Sequence, residues 1–117
     1  MGYDPKSSLI YQEESAVDMG VKEYLERQRE WSTRTFGYGK RTMGISEHIR
    51  KELLEIAADP HDSKEWIDVI ILAMDGYWRS GGELELLMAG LRYKQQLNFS
   101  RKWPVPESED VAVEHID

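Results

Sequence analysis

Four carboxylates in one stretch of the chain have the types and spacing to do chemistry. Within SEHIRKELLEIAADPHDSKEWIDVIILAMDGYWR, residues 46–79, Glu52 and Glu55 are three apart, and so are Glu65 and Asp68. A spacing of three puts both acids of a pair on one helix face. Glu55 and Glu65 lie five residues either side of Pro60, and Glu52 and Asp68 lie eight either side. In an antiparallel helical hairpin turning at Pro60, residues equidistant from the turn sit at about the same height. Four acids then converge between two helices and repel one another unless a cation joins them.

The donor set decides which cation fits. The chain has no Cys, and no His stands at ligand spacing among the four acids. An all-oxygen site suits Mg2+, with Mn2+ as a substitute, rather than zinc or copper. Mg2+ shares its coordination with waters and substrate phosphates, which points to a phosphate-bearing substrate. Two or more ions could activate a water and stabilise charge on the attacking and leaving oxygens. Acid pairs at this spacing also occur on ordinary solvated helix faces. The turn symmetry and the position of Glu52 on its helix speak for a site.

The elements that must hold these acids can be read from periodicity. Ile45, Ile49, Leu53, Ile56 and Ala57 form the apolar stripe of one helix, with Ser46 as its expected N-cap. At about 100° per residue, Glu52 falls beside Ile45 and Ile56 on the border of that stripe, and Glu55 lies about 60° further out. A carboxylate at a core edge is costly without a partner. Pro60 ends the helix. Ser63 is the expected cap of the next, which runs to about Arg79 and stops at Gly81-Gly82. Its apolar residues between Trp66 and Trp78 cover well over half the circumference, which predicts burial on several sides.

Two more helices complete an all-α reading. Val17, Val21, Tyr24, Leu25 and Trp31 place one over about 15–31, and Leu84, Leu87, Met88 and Leu91 place another over about 83–98. The intervening WSTRTFGYGKRTMG, with three glycines, reads as a loop. The expected organisation is an irregular segment over 1–14, a helical domain over 15–102 and an acidic tail over 103–117, extended or mobile.

Around the acids, secondary candidates are weaker. Trp31, Phe36 and Tyr38 could stack on a base, although aromatics near helix ends are more often core. Arg34, Lys40 and Arg41 could hold outer phosphates. His48, one turn before Glu52, could orient a ligand, and Lys51 could touch phosphate; a structural histidine and a solvated ion pair are the commoner outcomes. His61 is explained by turn chemistry, and Trp66 and Trp78 by core or subunit contact.

Composition narrows the class further. The 117 residues make one modest domain, with net charge −7 and a pI near 5.0. That charge argues against duplex nucleic acid as a partner. No apolar run approaches a membrane span, and no secretory signal is visible. The expectation is a soluble, cytoplasmic protein.

KELLE followed by EWIDVIILAMD resembles the MazG-type all-α nucleoside triphosphate pyrophosphohydrolases, whose signature is E-x-x-E on one helix and E-x-x-D on the next. One departure is Lys51, which stands where the family has the first of two adjacent Glu. Asp75, seven residues after Asp68, falls where many members carry an Asn near the sugar. The wider run from about residue 28 to 82 is similar to a narrower branch, the phage-associated dATP/dGTP pyrophosphohydrolases. The resemblance implies a four-helix bundle completed by dimerisation or tetramerisation. It implies that Glu52, Glu55, Glu65 and Asp68 bind Mg2+, and that water attacks the α-phosphorus of a purine deoxynucleoside triphosphate. The monophosphate and pyrophosphate would be the products. Some similar phage proteins convert dGTP to dGMP for 2-aminoadenine DNA, and a phage enzyme of this kind would work in the host cytoplasm. The alternatives are a pyrimidine or noncanonical dNTP pyrophosphohydrolase, and a non-catalytic acidic helical adaptor.

Overall fold

A computed structural model describes residues 20–116, and within them the only regular elements are helices. They are α1 (Val21–Phe36), α2 (Thr42–Ala58), α3 (Ser63–Arg79) and α4 (Leu87–Ser100), with a 3-10 turn at Leu84–Leu86 before the last. The expected irregular segment 1–14 and the start of the first expected helix lie outside the described residues. The described residues fall into two compact units, divided between Leu84 and Glu85. That division lies inside the span 15–102 that the sequence suggests as one domain.

In the first unit, α2 and α3 form the antiparallel hairpin that Pro60 predicts, packed along one another, and α1 lies against α3. The turn is built as its residues dictate. Asp59 leaves helical geometry at φ −141°, as the residue before a proline should. The Asp62 carboxylate then accepts from the Lys64 backbone N–H at 3.0 Å and caps α3. The expected cap, Ser63, is instead the first helical residue. Asp62 takes the role because its anionic oxygen reaches the free first-turn donor from one position earlier.

Two boundaries differ from expectation around the first connection. α1 continues to Phe36, five residues beyond its expected end and into the stretch read as a loop. Ser32 is fully buried and hydrogen-bonded there, so tertiary contact outweighs the weak helix propensity of Ser and Thr. The true connection is short, residues 37–41. α2 starts at Thr42, which puts the expected cap Ser46 inside the helix. Arg41 precedes it in left-handed geometry, φ 45° and ψ 27°, with no side-chain cap.

Leu25, Ile45 and Ile56 are the buried apolar side chains of the three helices. The broad apolar arc of α3 is less covered than its pattern predicts: Trp66 is 50% exposed and Ile70 55%. Its neighbours, α1 and α2, cover only part of its circumference.

The second unit comprises α4 and the segment after it. That segment, expected to be extended or mobile, makes contacts within itself. The Ile116 N–H donates to Lys102 O at 2.8 Å, and the Trp103 and His115 rings meet edge to face at 5.8 Å, so the chain doubles back. No described helix is long and apolar enough to cross a membrane.

Candidate metal and nucleotide site

The hairpin brings Glu52, Glu55 and Glu65 together across the Pro60 turn. Each offers a carboxylate oxygen, and the three oxygens lie within 4.8 Å of one another. Glu52 stands at the core edge, as its helical angle predicts, with 9% of its surface exposed. Its Oε1 lies 3.4 Å from His48 Nε2, while its buried Oε2 has no hydrogen-bond partner. A buried carboxylate oxygen left without a donor is costly. Glu55 is exposed and Glu65 half-buried, so the cluster opens from the core edge to solvent.

The electrostatics record the crowding. Hydrogen bonds shared with Glu52 and Glu55 are the main cause that pushes the Glu65 carboxyl up to about 7 from 4.5, with burial and their two charges adding. Near neutrality, a proton held on the Glu65 carboxyl relieves part of the repulsion among the three acids. Asp68 lies outside the three-oxygen group. Its carboxyl is also raised, by burial first and then by the Glu52 and Glu55 charges. The donor set is hard, anionic, crowded and short of one partner, which fits a divalent cation of the Mg2+ or Mn2+ type.

Beside this cluster a cleft of about 460 Å³ runs between the three helices, with Glu52 and Asp68 on its wall. Trp31, Phe36, Arg41, His48 and Asp75 also line it. Trp31 and Phe36 meet edge to face at 5.5 Å and are 46% and 44% exposed. The Arg41 guanidinium sits 4.9 Å over the Phe36 ring. Lys40 and Lys51 are exposed and do not line this cleft. Tyr38 is 90% exposed and also outside it.

Asp75 is 5% exposed and closes the far end of the α3 wall. Its Oδ2 accepts from Ser32 Oγ at 2.8 Å, and its Oδ1 accepts from Trp78 Nε1 at 3.3 Å and Gln28 Nε2 at 3.4 Å. Sequence reading missed Gln28, Ser32 and Arg79, which build this region. A signal existed: Gln28 and Ser32 are four apart on the face of Leu25, and Asp75 and Arg79 are four apart on α3. Polar pairs at helical spacing within apolar faces mark facing partners.

The sequence and the fold have known counterparts. A model of the dATP/dGTP pyrophosphohydrolase family matches residues 24–117. The Eaa protein of Salmonella phage P22 is 38% identical over 94 residues, 80% of this chain. The match spans 29% of that relative's length. Among solved structures, the cyanophage S-2L MazG-like pyrophosphohydrolase, bound to dGDP and three catalytic Mn2+ ions per active site, matches with a TM-score of 0.66 at 25% identity. That match covers 86% of this chain and 100% of the other.

Proposed function

The chain belongs to the dATP/dGTP pyrophosphohydrolase family, and on that premise we propose that it hydrolyses purine deoxynucleoside triphosphates, dGTP foremost, to the monophosphate and pyrophosphate. The observation that carries this reading is the meeting of three glutamate oxygens within 4.8 Å, one glutamate keeping an unpaired buried oxygen. Glu52, Glu55 and Glu65 would hold Mg2+, with Asp68 beside them on the cleft wall. The structural neighbour's three Mn2+ ions support a site of more than one ion. Bound divalent ions supply charge neutralisation for the phosphates and lower the pKa of a coordinated water.

The chain's own groups have separable tasks. The carboxylates orient the attacking water, and one of them takes its proton as a new oxygen bond forms to the α-phosphorus. The bond from that phosphorus to the bridging oxygen breaks, and pyrophosphate leaves with the electron pair. Arg41 lines the cleft wall and would meet phosphate oxygens there. Trp31 and Phe36 offer aromatic surface for a base.

Asp75 supports a guanine preference. It lies seven residues beyond Asp68, about 10 Å along α3 at 1.5 Å per residue, so phosphate and base ends of a nucleotide can be served by one helix. A carboxylate has about four lone-pair sites, and Asp75 has three protein donors, two of them long. Guanine presents N1–H and N2–H2 donors, either of which could meet the one remaining site. Adenine presents a lone pair at N1, which an anion opposes.

The exposed apolar arc of α3 supports assembly as a homo-oligomer, since Trp66 and Ile70 stay about half exposed within the unit. The activity is tested by incubating the protein with each dNTP and Mg2+ and measuring pyrophosphate. Release from dGTP ahead of dATP and the pyrimidines is expected. Preferential release from dUTP or dCTP would replace this reading with a pyrimidine one, and no release from any would remove it.

A further inference from the structure

Arg79 is a charged residue buried to 6% exposure at the end of α3. Its partners are oxygens of α1 and the connection that follows it. Nη1 donates to Gly37 O and Gly39 O, both at 2.9 Å, and Nη2 donates to Ser32 O at 3.2 Å and Ser32 Oγ at 2.9 Å. The guanidinium also lies 4.5 Å over the Trp78 ring, and its buried Nε has no partner. Burying a cation against neutral acceptors is an expensive way to add stability alone.

The segment it grips is one that would not hold itself. Gly37 at φ 83°, Gly39 at φ 105° and Arg41 at φ 45° give connection 37–41 three residues in the left-handed region. For Arg41, an L-residue with a full side chain, this geometry persists only where neighbouring contacts enforce it. Arg41 is also the residue of this connection with a cation on the cleft wall.

We propose that Arg79 is a positioning residue: by tying Gly37 and Gly39 to the end of α3, it holds connection 37–41 so that Arg41 is set over the cleft for the substrate's phosphates. The fork geometry suits this task. One terminal nitrogen reaches two carbonyls of the connection while the other fixes the helix that precedes it. Lysine's three donors sit on one nitrogen, so it lacks the second, separately placed nitrogen that lets the arginine fork span the connection and Ser32 together. The phosphate clause rests on the activity proposed above; the ordering of the connection does not.

Two readouts on the full chain separate these. In the nucleotide-free protein, backbone 15N order parameters for residues 38–41 should be near 0.85 in the wild type and below about 0.6 in Arg79→Gln. With dGTP and saturating Mg2+, Arg79→Gln should raise KM about tenfold with kcat within about twofold, as loss of one charge-assisted hydrogen bond would. Arg41→Ala should do the same, and the double variant should be no worse than Arg41→Ala alone. Arg79→Lys should restore part of the loss; it carries the same test if Arg79→Gln does not fold. Unchanged order parameters, additive KM effects, or a fall in kcat with KM unmoved would overturn the proposal. A wild type that turns over no nucleotide would sink the proposed activity, while the order parameters would still decide whether Arg79 holds the connection.

Discussion

The Ser32 hydroxyl donates to Asp75 Oδ2 at 2.8 Å and accepts from Arg79 Nη2 at 2.9 Å, so one hydroxyl of α1 joins two residues one turn apart on α3. All three side chains are buried. Removing the hydroxyl leaves an acid and a cation each short of a partner in a place water reaches poorly. Ser32→Ala should therefore destabilise the fold by about 2 kcal/mol, lowering the melting temperature by roughly 8–16 °C for a unit of this size. Thermal denaturation followed by circular dichroism checks this, and an unchanged melting temperature would show that the hydroxyl bridges nothing of consequence.

Asp75 should act on base choice. Asp75→Asn keeps the shape but turns one acceptor into a donor. Turnover of dGTP, as kcat/KM, should fall about tenfold or more, while dATP falls little. Deoxyinosine triphosphate, which lacks the 2-amino group, should lie between them for the wild type. Equal losses on dGTP and dATP would assign Asp75 to packing rather than reading the base.

Much of this arrangement was legible in the sequence, and what was not has a physical cause. The hairpin, its turn at Pro60 and the border position of Glu52 follow from helical angle and proline geometry alone. The α1 end was missed because Ser32 is helical through its contacts with Asp75 and Arg79, which no local pattern encodes. The cap of α2 was missed for a similar reason: Arg41 adopts left-handed geometry in a connection held at Gly37 and Gly39 from α3. The apolar arc of α3 is less buried than its pattern predicts, because periodicity does not say how much of an arc the neighbouring helices reach.

The proton on Glu65 gives the site a pH dependence of known sign. Its carboxyl is raised from 4.5 to about 7 in the fold, chiefly by hydrogen bonds shared with Glu52 and Glu55. The folded state then holds the proton more tightly than the unfolded one. This contribution to the stability of the cation-free protein is full below about pH 4.5 and is lost as pH rises through about 7. Cation binding has the opposite slope, because the proton must leave first. Mn2+ affinity measured by calorimetry should rise about tenfold from pH 6 to pH 8. Glu65→Gln should flatten that profile; a flat wild-type profile would contradict the shared proton.

Neutralising a member of the cluster should separate stability from binding. Without divalent ions at pH 8, Glu55→Gln relieves repulsion among like charges and should leave the melting temperature equal to or above that of the wild type. On adding Mg2+ or Mn2+, the wild type should gain several degrees by preferential binding to the folded state, and the variant should gain much less. Chelation with EDTA should reverse the gain. Equal shifts in both proteins would place the cation elsewhere.

The most direct measurement is pyrophosphate release from dGTP with Mg2+, comparing the wild type with Glu52→Gln. Glu52 sits on both the cluster and the cleft, and its Oε2 is buried without a donor. The amide should preserve the helical circular dichroism spectrum while cutting release by about a hundredfold or more. Release undiminished in a folded Glu52→Gln protein would contradict a reaction centred on the carboxylates that meet across Pro60.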